Sequence, residues 1–133
     1  MNLLSLLSAR QAGEVRCGVA SIATDDLPTA LEKFGLAMPI DGLVELDLPQ
    51  ATALLTRLIE VDLAYGTTCV PHENARRIAE GLLSEYAGAS SRYFSNGDGT
   101  GSWMPLTKST FDAGLIVRCQ SHVYFCVWFE EED

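Results

Sequence analysis

At 133 residues and 47 % hydrophobic content, the chain is long enough to bury a core as one domain, residues 1–133, without disulfide or metal staples. Nine basic against eighteen acidic residues leave a net charge of −9, which repels nucleic-acid phosphates and anionic membrane surfaces and favours a cationic partner. The excess is spread out, with 6 basic and 12 acidic residues in 1–90 and 3 and 6 in 91–133, and plain solubility is the simpler explanation of it.

Residues 1–9 are apolar, but serines break the run, no positive segment precedes it and Arg10 follows directly. A first helix or capping segment is expected there rather than a secretory signal, and no stretch approaches the roughly 20 apolar residues that span a bilayer. A cytoplasmic protein with no membrane partner is the expectation. Residues 15–22 are apolar and tolerate a strand, as do Leu43-Val44-Glu45-Leu46.

Two helix starts share one grammar. Asp26-Leu27-Pro28-Thr29 and Asp47-Leu48-Pro49-Gln50 each offer an acidic cap with proline in the first turn, where its missing N–H costs nothing. The sequences diverge after the prolines, so shared capping chemistry explains the echo better than duplication. The first helix, 26–35, closes at Gly35. The second, 48–65, carries Ala51, Leu54, Leu55, Leu58, Val61 and Tyr65 at helical spacing and stops at Gly66. The third, 71–87, places Ala75, Ile78, Ala79, Leu82, Leu83 and Tyr86 on one stripe and shows Glu73, Arg76, Arg77, Glu80 and Glu85 to solvent.

From Ser90 the pattern changes. Arg92-Tyr93-Phe94 suits a strand, residues 95–102 form a glycine-rich loop, and residues 115–129 read as a β-hairpin that runs into Glu130, Glu131, Glu132 and Asp133. Pairing its arms across Gln120-Ser121 places Leu115, Val117, Cys119, His122, Tyr124, Cys126 and Trp128 on one face. The other face then carries Ile116, Arg118, Val123, Phe125, Val127 and Phe129. Neither face is polar, so both are expected to be covered. The fold class is α+β, with N-terminal helices packed on a C-terminal antiparallel sheet.

No reaction is specified by these residues. Gly97-Asp98-Gly99-Thr100-Gly101 lacks the following helix and lysine of a phosphate loop. Asn96, Asp98 and Thr100 alternate like calcium ligands, yet Thr107 stands where a bidentate glutamate belongs. Cysteines 17, 69, 119 and 126 form no C-x-x-C pair and read as small core residues. Cys119 and His122 share a face in the register above, but nothing nearby supplies an orienting acid or a lowered thiol pKa. His72 reads as a solvent-facing residue in a first helical turn. No catalytic residue, metal or cofactor is called.

Tyr93-Phe94-Ser95-Asn96-Gly97, Ser102-Trp103-Met104-Pro105-Leu106-Thr107, Thr110-Phe111-Asp112-Ala113-Gly114 and the Val127-Trp128 strand ending in acids resemble small bacterial toxin-immunity proteins. Those proteins accompany contact-dependent inhibition or type VI secretion toxins. The likeness spans roughly residues 48–133 in general plan. It implies a stoichiometric inhibitor that occludes the active site of a cytosol-acting toxin. The late acids and one aromatic, Asp98, Trp103, Asp112, Glu130, Glu131, Glu132 and Asp133, are the expected contacts to a basic cleft. Two alternatives stand beside it: a small-molecule-binding domain or enzyme with a site between helices and sheet, and a module that pairs with a second copy of itself.

Overall fold

The computed structural model describes residues 13–23, 25–37, 43–97, 106–107, 109 and 111–132. In chain order these form β1 (Glu14–Ser21), α1 (Leu27–Lys33), β2 (Val44–Leu46), α2 (Leu48–Glu60), α3 (His72–Tyr86), β3 (Arg92–Ser95), β4 (Phe111–Gln120) and β5 (Val123–Glu131). The strands make one antiparallel sheet in the order β1-β5-β4-β3-β2. The α+β class holds, and two strands from the N-terminal half, β1 and β2, join the C-terminal ones in the sheet. The apolar stretch before the first helix becomes an edge strand beside the last one. The segment 1–9 and most of the glycine-rich loop lie outside the described residues.

Of the two expected acidic caps only Asp47 bonds to its helix backbone, since the Asp26 carboxylate takes the Thr29 hydroxyl at 2.6 Å instead. Asp47 Oδ1 accepts the Gln50 N–H at 2.8 Å while Gln50 Oε1 accepts the Asp47 N–H at 2.9 Å, a reciprocal box that opens α2. Gly35, at φ +76°, ends α1: Leu36 N–H reaches Leu31 O at 2.9 Å and Gly35 N–H reaches Glu32 O at 3.0 Å, the paired bonds of a left-handed helix stop. α2 stops at Glu60, short of the expected Tyr65. Val61 turns extended and bridges Thr68, and Asp62 closes a tight turn by accepting the Thr67 N–H at 2.6 Å. The Glu60 carbonyl takes the Cys69 and Val70 N–H groups at 2.7 and 3.1 Å, so chain reversal replaces further helix.

Each face of the sheet has its own cover. On one, α2 and α3 bury Leu55, Ile59, Ile78 and Leu82 against Leu115, Val117, Phe125, Val127 and Phe129, and Tyr86 stacks on Phe125 with ring centroids 4.2 Å apart. On the other, Leu31 of α1, Leu36 and Leu106 cover Ile116, Tyr124, Cys126 and Trp128. The indole of Trp128 needs Gly114 opposite it. A Cβ there would lie 2.3 Å from Val127 O and 2.6 Å from Trp128 Cε3.

Both hairpin faces are buried, as expected, but the register differs from the expected one. The turn is Ser121-His122, not Gln120-Ser121, and an irregularity between Arg118 and Gln120 shifts the ladder so that Leu115 faces Val127 and Val117 faces Phe125. Tyr124, Cys126 and Trp128 therefore share a face with Ile116, not with Leu115 and Val117. The irregularity at Cys119 is what changes the faces, since a turn moved one residue on would by itself still set Leu115 opposite Trp128. The Asp25 carboxylate accepts the His122 N–H at 2.6 Å and the Ser121 hydroxyl at 2.8 Å, and it pairs with Arg118. This fixes the turn one residue on, with His122 at φ +67°.

Candidate functional site

The hairpin register brings the late carboxylates to one end of the sheet: Asp112 stands opposite Glu130, and Phe111 opposite Glu131. Asp112 is fully buried. Its Oδ1 accepts the Leu106 N–H at 3.0 Å and the Asn96 amide at 3.1 Å; its Oδ2 accepts the Thr107 N–H at 2.7 Å and the Thr107 hydroxyl at 2.6 Å. A buried carboxylate is tolerable only with such a shell. Here it ties position 96 to positions 106 and 107, on the two sides of the loop.

Glu130 and Glu131 are equally occupied. Arg16 of β1 binds Glu130 through Nε and Nη2 at 3.0 to 3.2 Å and gives Nη1 to the Phe34 carbonyl at 2.8 Å. Ser109 Oγ adds a contact to Glu130 at 3.3 Å. Glu131 accepts the Leu63 and Ala64 N–H groups at 2.8 and 3.3 Å, holding the turn that follows α2. The expected exposed acidic surface is corrected accordingly: Asp112, Glu130 and Glu131 are buried and Glu132 is exposed. The reason is that β5 continues through Glu131, paired with β1 as far as Glu130 and with β4 as far as Glu131. Asp98, Trp103 and Asp133 lie outside the described residues.

Beside these acids lies a cavity of about 710 Å³, with Leu36 and Leu106 in its wall and Arg16, Glu130, Glu132, Thr107 and Ser109 supplying polar groups. Within this lining Arg16 and Glu130 are paired with each other, so the cavity sets an apolar wall beside an internally neutralised ion pair. Gly35 keeps the floor open to Arg16. Its φ is +76°, and a Cβ there would meet Arg16 Nη1 at 2.3 Å.

A second concavity, about 680 Å³, runs along the outer surfaces of α2 and α3 between Thr52, Ala53 and Arg57 on one helix and His72, Arg76 and Glu80 on the other. Glu60 Oε1 stands 2.9 Å from His72 Nδ1 at its edge. Arg76 is engaged by Glu73 at 2.8 Å and by Glu80 at 3.1 Å. Three of the cysteines, Cys17, Cys119 and Cys126, are held away from thiolate chemistry. Burial pushes the Cys17 thiol up to about 12 and raises Cys119 and Cys126 as well. Cys119 donates to the Val117 carbonyl at 3.7 Å. Among the described residues no group of three or more His, Cys, Asp or Glu side chains is placed to hold a metal ion. None of the described helices is long and apolar enough to cross a membrane.

Sequence reasoning missed Arg16 and Asp25, which organise this end and the hairpin turn. Arg16 carried a signal: it is the single cation in an apolar run, in a chain whose last residues are acids. Asp25 stands next to the cap residue Asp26 in sequence, and its partners are 93 to 97 residues away. Comparison with family models, curated proteins and solved structures finds no match to the chain.

Proposed function

We propose that the chain is an immunity protein, a stoichiometric inhibitor that binds a cognate cytosol-acting bacterial toxin and occludes its active site. The distribution of charge is the observation that carries this reading. Arg16, Arg76, Arg92 and Arg118 are each tied to a carboxylate, and the exposed cations Lys33, Arg57 and Arg77 stand in a chain that carries eighteen acidic residues against nine basic ones. A field of that sign attracts a basic cleft, speeds encounter and disfavours wrong partners. The segments resembling immunity proteins point the same way.

The test is the protein encoded beside this one. A basic toxin domain from the neighbouring frame should be lethal alone and harmless when co-expressed with this chain, and calorimetry should give a one-to-one complex. A toxin that binds no more tightly than an unrelated basic protein, and kills regardless, overturns the reading. Protection by a folded chain with His72 and His122 changed to Gln and the four cysteines to Ala or Ser is the expected result for an inhibitor that works without turnover.

A small ligand is the second reading, and the α2–α3 concavity favours it. Glu60 orients His72 beside a partly apolar groove, in contrast to the space between helices and sheet, which is filled with core side chains. Thermal stabilisation by a metabolite, lost in His72→Gln, would select it.

A further inference from the structure

The two edges of the sheet are built differently. β2 has three residues, leads at once into the cap at Asp47, and holds Glu45 against Arg92 at 2.8 and 2.9 Å. A short, charged edge discourages further pairing. β1 has eight residues, pairs with β5 without a register break, and contains neither proline nor lysine. Among the described residues β5 is its only strand partner.

The ladder shows which backbone groups face outward. Ile22 N–H donates to His122 O at 2.9 Å, and alternation carried back along the same register puts Ala20, Gly18, Arg16 and Glu14 in hydrogen-bonded pairs with β5. The N–H and C=O groups of Val15, Cys17, Val19 and Ser21 then point away from β5. Side chains leave room beside them: Val19 is 52 % exposed, and a Cβ on Gly18 would meet nothing within 4 Å. Arg16, the strand's one cation, is drawn off by Glu130 and the Phe34 carbonyl.

An unpaired edge recognises another strand through the main chain, and charge then selects which strand. A second copy would set −9 against −9. A segment bearing lysine or arginine meets exposed Glu14 at one end of the strand and a chain of opposite net charge. We propose that β1 is a docking edge, to which an extended cationic segment of a partner protein adds as a sixth strand. The proposal deepens the inhibitor reading and rests on it for the partner's identity, though not for the strand addition itself.

Amide hydrogen exchange on the full chain tests this, alone and with a synthetic peptide of alternating lysine and valine as long as β1. A glutamate–valine peptide is the control. The lysine peptide should slow exchange at Cys17 and Val19 by about tenfold or more, and the glutamate peptide should not. Val19→Pro removes an outward donor while leaving the β5 ladder intact and should abolish the slowing. Val19→Lys, at a half-exposed position, should weaken it, and Val19→Thr should preserve it. Unchanged exchange at Cys17 and Val19 with the lysine peptide overturns the proposal. So does slow exchange in the isolated chain: independent of concentration, it means that the chain covers its own edge; dependent on concentration, that a second copy does. Because the peptide is no toxin, failure to protect cells would sink the inhibitor reading and leave the docking result standing.

Discussion

The acids at the sheet end and the acids on the outer face of α3 are the same chemistry put to opposite uses. Asp112, Glu130 and Glu131 are buried, and each spends its oxygens on backbone N–H groups, hydroxyls or Arg16. Glu73, Glu80 and Glu85 are exposed, and the first two share Arg76. The first group holds distant segments together, because a buried carboxylate needs its partners as much as they need it. The second sets surface potential and contributes little to folding. Counting charge in the sequence cannot separate them. Pairing and burial can.

The largest effect separating the two groups is expected at Asp112. Asp112→Ala leaves the Leu106 and Thr107 N–H groups without their carboxylate acceptor, a loss of about 3–5 kcal/mol, while the Asn96 amide keeps the carbonyl of residue 112. Urea unfolding measures it. A change below about 1 kcal/mol would show that water replaces the carboxylate and that burial does not distinguish the two groups of acids. At the Arg16–Glu130 pair, Arg16→Met should cost about 1.5–3 kcal/mol, with part of that loss restored by adding Glu130→Gln. Strictly additive losses would mean that the two side chains do not act together.

Much of the fold is legible in the sequence because its signals are local. Asp47 and Gln50 predict their own capping box, the stripe from Ala75 to Tyr86 predicts α3, and alternation from Tyr124 to Phe129 predicts a strand covered on both faces. β1 was harder to read because Gly18 and Ala20 dilute its β character and its partner is at the far end of the chain. The hairpin register was not legible, because it depends on an irregularity at Cys119 and on a turn held by the distant Asp25. For the candidate site, the late acids do converge as a group, but their direction depends on how far β5 continues. A run of acids looks like a solvated tail until Arg16 and the 63–64 turn are seen to need Glu130 and Glu131.

Asp25 lies between the two groups, since it is exposed yet fully used. The His122 N–H first, then the Ser121 hydroxyl and Arg118, hold its carboxyl below the usual carboxylate range. A folded-state pKa below the unfolded one gives stability that is complete above the unfolded value and fades as pH falls through the folded value. Acid should therefore loosen the hairpin turn, and Asp25→Asn should flatten the acid side of the midpoint-against-pH curve. Exchange at the His122 amide should rise in that variant at neutral pH. An unchanged curve would assign the register to the strands alone.

The smallest effect on folding, and the sharpest test of the comparison, comes from neutralising the exposed set. Glu73, Glu80 and Glu85 changed together to Gln should alter stability by less than about 0.5 kcal/mol, because exposed ion pairs with Arg76 are screened by water and salt. Their contribution is a long-range field, so the change should appear in association instead: a slower on-rate with a basic partner and a shallower dependence on salt, with little change in dissociation. Glu132→Gln should behave in the same way, whereas adding Glu130→Gln and Glu131→Gln should lower the unfolding midpoint. Stopped-flow mixing at several salt concentrations, read beside urea unfolding of the same variants, gives both quantities. If the α3 variant binds at the unaltered rate while Glu132→Gln slows, the attracting field is at the sheet end, beside β1 and the cavity, and the helical face serves solubility alone.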